Sequence, residues 1–401
     1  MAQSSYLSLL RQQSGLLAIG FIALFTGNLG QSFFIGLFQQ DIASHLGLST
    51  GGFGTVYALI TMCSGFLVMH FGAKLDWISP RRYAAMMLFA LLTGVLLMTT
   101  SIWLVPALIG LALVRLCGQG LMTHFGSTLI GREFVINRGR ALGLVSLGMP
   151  LGEIVLPPLI AITSAMLLWY EVWWLIALSL AICWAALFLF VSWPCAPVVV
   201  RDEQGRVQRG PNPLSDTLFW QIIPLTMALP VTLTGIFIYQ AQMTADLASS
   251  ITIYALALTI MGMARFPGAL MGGRWVDEWG VSLLAKLYLV PFAVAILLAV
   301  TLGGHVAVIV LMAGAGISLG MSSPVVDSIL VEIWGRENLG RVRSVKSALM
   351  VFSTGIAPAI LGVLIDNGIR FQSILIGMLT FMLIGWLLAL RTINHLQTQP
   401  S

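Results

Sequence analysis

Two arginines and a glutamate have the most chemistry to offer in this 401-residue chain, because all three fall inside apolar runs. Arg115 lies in the run 103–128, Glu153 in the glycine-rich run 140–165, and Arg265 in the run 250–273, among Gly262, Pro267, Gly268, Ala269 and Gly272. An ionised side chain facing hydrocarbon costs at least about 2.5–3.5 kcal/mol, so each of the three must face protein or a water-filled cavity. A guanidinium presents a fixed fork of donors that matches a carboxylate through two parallel hydrogen bonds. Two deep cations against one deep acid leave an arginine over, and a carboxylate guest bound between the two halves of the chain would supply the missing charge. The chemistry expected is therefore reversible binding of a small organic anion. Glu153 is the candidate for proton coupling, its other reading being a structural ion pair with Arg115.

Such groups need membrane helices to hold them, and the composition agrees. Hydrophobic residues make up 58% of the chain, charged residues 9%, and the mean hydropathy is +0.95. These values exclude a soluble globular surface. Apolar stretches of about 20 residues, each long enough for a hydrocarbon core of about 30 Å, recur along the chain. They predict an all-α membrane protein with 12 helices near 14–37, 50–72, 83–101, 103–128, 140–165, 171–193, 218–241, 250–273, 281–302, 305–330, 343–365 and 371–392. With both termini in the cytoplasm, 17 of the 20 Lys and Arg residues fall on that side. That asymmetry sets the expected orientation, in a bacterial cytoplasmic (inner) membrane, and explains the net charge of +5 without a nucleic-acid partner.

The chain also repeats itself. Asp76 and Asp277, Arg140 and Arg341, and Pro157 and Pro358 are each 201 residues apart, and Gln39, Leu46 and Ser49 meet Gln240, Leu247 and Ser250 at the same offset. A duplicated six-helix unit is the economical explanation. Residues 1–194 and 218–401 are expected to form two pseudo-symmetric six-helix bundles, joined by a polar cytoplasmic linker over 195–217.

After the second and eighth helices come the short segments GAKLDWISPRR, with Gly72, Asp76, Arg81 and Arg82, and GRWVDEWG, with Gly273 and Asp277. This pair of loops resembles the G-x-x-x-D-(R/K)-x-G motif of the major facilitator superfamily, present once per half. The resemblance implies the superfamily's fold and transport by alternating access, with these loops acting as a cytoplasmic gate together with Arg138, Arg140 and Arg341. The segment RLCGQG from Arg115 to Gly120 is similar to the arginine-glutamine-glycine motif of that superfamily's fourth span. The run from Phe134 to Gly152 resembles the fifth-helix signature of monocarboxylate transporters, and Gly30 to Phe38 is similar to the bacterial oxalate:formate exchangers. These likenesses imply a monocarboxylate or dicarboxylate substrate, moved by proton symport or by anion exchange.

Gln119 shares a helical face with Arg115 at i+4, whereas His124 at i+9 points about 180° away. Asn28, Gln31, Tyr57, Tyr239 and Gln240 complete the expected substrate cavity. Gly148 and Pro150, similar to the glycine-proline motif of facilitator antiporters, keep drug or metabolite efflux open as an alternative, and a nutrient sensor on a transporter scaffold is a third reading. The five histidines are scattered and the four cysteines show no metal-ligand spacing, so neither an enzyme nor a metal or other cofactor is expected. Gly143, Gly148 and Gly152 give the fifth helix a smooth face for close packing. A monomer is expected.

Overall fold

The computed structural model describes residues 6–76, 78–134, 138–195 and 213–395, and among these every regular element is helical. Twelve helices are long and apolar enough to cross a bilayer. They are α1 (Leu9–Gly30), α2 (Thr50–Gly72), α3 (Pro80–Thr100), α4 (Leu104–Glu133), α5 (Ala141–Thr163), α6 (Trp169–Phe190), α7 (Thr217–Ile238), α8 (Ile251–Ala269), α9 (Val281–Leu302), α10 (Gly304–Trp334), α11 (Leu349–Asp366) and α12 (Phe371–Asn394). The chain divides into two compact units, residues 1–48 with 59–202, and residues 49–58 with 203–401. Most of the expected linker, 196–212, lies outside the described residues.

In unit 1 the ends of α1, α4 and α5 share a core of Leu9, Leu17, Leu24, Ile130, Phe134, Ala141 and Val145. Further along α1, Trp184 of α6 donates from Nε1 to the buried Thr26 hydroxyl at 3.0 Å. In unit 2 the segment 49–58 departs from the expected grouping with the first half. Its Gly51 N–H and Ser49 hydroxyl donate to one oxygen of Asp366, at 2.8 and 3.0 Å. A carboxylate at a helix N-terminus satisfies donors that have no partner within the helix and meets the positive end of its dipole.

The duplication is visible in the backbone at the same offset of 201. Regular helix breaks at Phe38 (φ −113°, ψ 12°) and at Tyr239 (φ −106°, ψ 34°), and each break is followed by a seven-residue helix, Gln39–His45 and Gln240–Asp246. Both short helices end with paired reverse hydrogen bonds: Leu48 N–H to the Ala43 carbonyl with Gly47 to Ser44, and Ser249 to Thr244 with Ala248 to Ala245. This cap requires a left-handed residue, which is Gly47 (φ +64°) in one copy and Ala248 (φ +54°) in the other. A serine then caps each following helix, Ser49 accepting from Gly52 N–H and Ser250 from Ile253 N–H. Alanine pays a steric cost in the left-handed region that glycine does not. Ala248→Gly is therefore expected to stabilise unit 2 by about 0.5–1 kcal/mol, the lost strain outweighing the extra freedom of the unfolded chain; thermal unfolding in detergent measures it.

Two boundaries differ from the sequence-based expectation. Helix runs without a break from Gly304 to Asp366, so the polar stretch between α10 and α11 is helical rather than a loop. The helix containing α8 likewise continues to Trp279, and Gly280 (φ +82°) makes the turn. Gly273 and Asp277 thus lie in the last turns of a helix, not in a loop.

Candidate functional site

Arg115 sits where two helices of unit 1 lose regular geometry. In α1 the α-helix ends at Gly27, Asn28–Gly30 form a 3-10 turn, and Gln31 is extended (φ −75°, ψ 149°) before helix resumes at Ser32. The Phe34 N–H that would bond the Gly30 carbonyl in an unbroken helix donates to Gln31 instead, at 3.1 Å. The freed Gly30 carbonyl takes a donor from Arg115 Nη1. Arg115 Nε donates to the Thr61 hydroxyl of α2 at 3.3 Å. A buried backbone carbonyl without a partner is costly, so the guanidinium and the break in α1 support each other.

The other irregularity is in α4, where Leu116–Met122 form a π-helix directly after Arg115. Such widened turns recur at functional sites. Glycine permits the close crossing here: a Cβ on Gly118 would stand 2.5 Å from the Gly30 nitrogen and 2.8 Å from its Cα. Across the π segment the turn per residue departs from the uniform 100° used to place Gln119 and His124. Gln119 is half-buried, its backbone nitrogen against Gly30, while the His124 ring lies against Gly72, with Cδ2 3.2 Å from where a Cβ there would be.

Asn28 is fully buried and ties α1 to α5, donating from Nδ2 to the Phe25 and Gly148 carbonyls at 2.9 and 3.2 Å. Gly152 of α5 leaves the room that the Asn28 carboxamide fills. One residue further, Glu153 is 5% exposed, against 2% for Arg115. Gln31 is half-buried at the junction in α1.

The remaining expected residues belong to unit 2. Arg265 is half-buried in α8 and, like Arg115 and Glu153, interacts within the protein. The expectation that one deep arginine is left without a partner is corrected accordingly. The small residues around Arg265 serve a helix crossing: a Cβ on Gly268 would stand 2.6 Å from the Ile317 carbonyl of α10, and one on Gly320 would meet the backbone of Arg265 and Ala269. Tyr239 is fully buried, its hydroxyl donating to the Pro358 carbonyl at 2.6 Å and lying 3.2 Å from that of Thr50. Gly54 and Gly362 leave space for that hydroxyl. Tyr57 is fully buried and stacks on Phe53 at 6.0 Å, and Gln240 is fully buried with neither end of its carboxamide hydrogen-bonded.

At the end of α2, Gly72 leads into a 3-10 turn, Ala73–Asp76. Arg132 of α4 donates to the Leu75 carbonyl of that turn at 3.4 Å and pairs with Glu133 at 3.1 Å. Arg81 and Arg82 are exposed at the start of α3, and Arg81 donates to the Phe188 carbonyl of α6 at 3.1 Å. The backbone places Arg138 and Arg140 in the helix that continues as α5, and Arg341 between α10 and α11. The side chains of Asp76, Arg138, Arg140, Gly273, Asp277 and Arg341 lie outside the described residues. No group of three or more His, Cys, Asp or Glu suited to a metal ion occurs among the described residues.

The sequence matches the Major Facilitator Superfamily over residues 20–241 and again over 222–400, nearly the whole chain. The chain belongs to this superfamily. Two crystal structures of a bacterial homologue of the human lysosomal transporter Spinster share the fold. The inward-facing, unoccupied form gives a TM-score of 0.71 at 13% identity, and the inward-facing, occupied form 0.66 at 15%, each covering 100% of both chains. Comparison with curated proteins gives no match. Superfamily membership and twelve apolar helices make this a multi-pass integral membrane protein and a secondary transporter.

For a facilitator, three features of the structure escape sequence reading. Thr61 holds Arg115 from a helix with no charge of its own, Arg132 reaches the turn after α2, and Asp366 caps α2. Arg132 and Asp366 each stand at the end of an apolar run, where a charge signals no more than a helix terminus. Thr61, embedded in α2, carries no signal at all.

Proposed function

We propose that this facilitator moves a small organic anion, a monocarboxylate or dicarboxylate, by alternating access, with Arg115 as its principal anion-binding group. The observation that carries the reading is a guanidinium 2% exposed at membrane depth, held in place by the Gly30 carbonyl and the Thr61 hydroxyl. These two oxygens fix the plane of the guanidinium, and a planar fork of donors is the geometry that recognises a carboxylate through parallel hydrogen bonds. Arg265, within the apolar span α8 of unit 2, is the second cation. Gln119 follows Arg115 on α4, Asn28 and Gln31 stand at the break in α1, and Tyr57, Tyr239 and Gln240 are the proposed polar contributors from unit 2. Glu153 is the proposed proton-coupling residue. The resemblance of the fifth helix to monocarboxylate transporters, and of Gly30–Phe38 to oxalate:formate exchangers, supports this substrate class.

The proposed organisation is two bundles, 1–194 and 218–401, joined by a cytoplasmic linker over 195–217, in a monomer of the bacterial inner membrane with both termini cytoplasmic. The turns bearing Gly72, Asp76, Arg81 and Arg82, with Arg138, Arg140, Gly273, Asp277 and Arg341, form the proposed cytoplasmic gate.

Counterflow in proteoliposomes tests the substrate class. With unlabelled anion inside, labelled lactate, oxalate, formate and succinate are presented in turn, and at least one is expected to accumulate while hydrophobic cations do not. Arg265→Gln is expected to reduce that accumulation at least ten-fold with normal protein yield. Accumulation of cations alone, or unchanged transport in Arg265→Gln, overturns the corresponding part of the reading.

A further inference from the structure

Helix α2 is shared between the two units. Its residues 50–58 belong with unit 2 and its residues 59–72 with unit 1, where the Thr61 hydroxyl accepts from Arg115. The helix Thr50–Gly72 carries no proline, and no glycine stands between Gly54 and Gly65, so nothing at the junction of the two parts provides a hinge. A motion that parts the units therefore carries α2 as a rod and breaks its bonds on one side. The bond to Arg115 is buried, whereas Ser49 and Asp366, which bond at the start of α2, are both exposed, and water can replace what is broken there. Release is thus cheaper from unit 2.

The contact that would be released is specific. Besides the two bonds to Asp366, Gly51 passes against Gly362 of α11, where a Cβ would stand 2.7 Å from the Gly51 Cα. Gly54 passes against Tyr239 and Pro358, and a Cβ there would overlap the Tyr239 hydroxyl and the Pro358 carbonyl. None of these residues recurs in the other half. At the offset of 201, Asp366 is matched by Ala165, Tyr239 by Phe38, Gly362 by Ala161 and Gly54 by Ala255. Phe38 packs on Phe34 and Trp173, at 5.8 and 5.3 Å, and residues 250–259, the counterpart of 49–58, stay with their own half. Ser49 follows the first span and Asp366 ends the eleventh, so both lie across the membrane from the N-terminus.

We propose that this contact is a one-sided latch: Asp366 and the glycines hold the first turns of α2 on α11, and each transport cycle releases and re-docks them, with no matching release in the other half. The latch rests on alternating access, as proposed above, but not on the substrate class, and it is tested without substrate. Electron paramagnetic resonance measures docking as the separation of spin labels attached through Thr55→Cys on α2 and Ile360→Cys on α11, both exposed positions. The full chain is used in lipid nanodiscs, with Cys63→Ser, Cys183→Ser and Cys195→Ser removing the exposed thiols. The parent protein is expected to show one short separation with a minor longer one. Asp366→Ala removes the acceptor of two hydrogen bonds, and Gly54→Ala wedges α2 away while supplying it with a better helix former. Each is expected to raise the longer population about ten-fold. Ala165→Asn, at the matching place in α5, is expected to change nothing. Hydrogen exchange over residues 59–72 is expected to stay as in the parent, because α2 leaves unit 2 as a rod. An unchanged distribution in both Asp366→Ala and Gly54→Ala, an equal shift in Ala165→Asn, or protection lost along the whole of α2 overturns the latch.

Discussion

Arg115→Gln is expected to lower transport about 100-fold or more while leaving the protein in the membrane. Charge-assisted hydrogen bonds are worth about 1.5–3 kcal/mol each, and an anion held bidentately loses both together with the field of the cation. A loss of about 3 kcal/mol corresponds to two orders of magnitude in affinity. Glutamine ends at about the position of the arginine Nε, so it can keep the bond to the Thr61 hydroxyl while the Gly30 carbonyl loses its donor, a structural loss that thermal unfolding reads separately from transport. Arg115→Lys separates charge from geometry: it restores the cation without the planar fork, and is expected to recover only part of the activity. Uptake by proteoliposomes of matched protein content measures both variants, alongside thermal unfolding. Wild-type uptake in Arg115→Gln removes Arg115 from the substrate site and leaves it a purely structural role at the α1 break.

Much of this architecture is legible because the bilayer permits few solutions. Every backbone group in the hydrocarbon must be satisfied within its own segment, so each apolar run of about 20 residues reads directly as a helix. The repeat was equally plain, and the backbone carries it to single residues: the pairs Phe38 and Tyr239, Gly47 and Ala248, and Ser49 and Ser250 occupy equivalent places. The irregularities within helices were not legible. No residue type marks a π-helix, which forms at Leu116–Met122 where glycines let α1 press against α4, a property of the pair rather than of either sequence. Tyr239 illustrates the same limit from the other side. A tyrosine at a helix end reads as an interfacial anchor or a cavity residue, yet Gly54 and Gly362 make room for its hydroxyl beside two backbone carbonyls within unit 2.

Gly118→Ala is expected to destabilise unit 1 strongly. The added carbon would stand 2.5 Å from the Gly30 nitrogen, 2.8 Å from its Cα and 3.4 Å from the Leu29 carbonyl carbon, and all three are backbone atoms with no rotamer to change. Relief requires α1 and α4 to separate at the point where Arg115 joins them, which stretches the Nη1 bond to the Gly30 carbonyl and exposes it as a buried unpaired acceptor. Overpacking of about 1–3 kcal/mol and an orphaned carbonyl of about 1–3 kcal/mol act together, and about 3 kcal/mol is the expected sum. Gly143→Ala is the matched control, since a Cβ there has nothing within 4 Å and alanine is the better helix former by about 0.5–1 kcal/mol. Thermal unfolding in detergent should therefore fall sharply for Gly118→Ala and hold or rise for Gly143→Ala. Because the clash acts on the segment that aims Arg115, Gly118→Ala is also expected to lose transport at temperatures where it remains folded. Equal stability of the two variants would mean that the crossing of α1 and α4 is loose, and that the π segment of α4 does not depend on glycine at position 118.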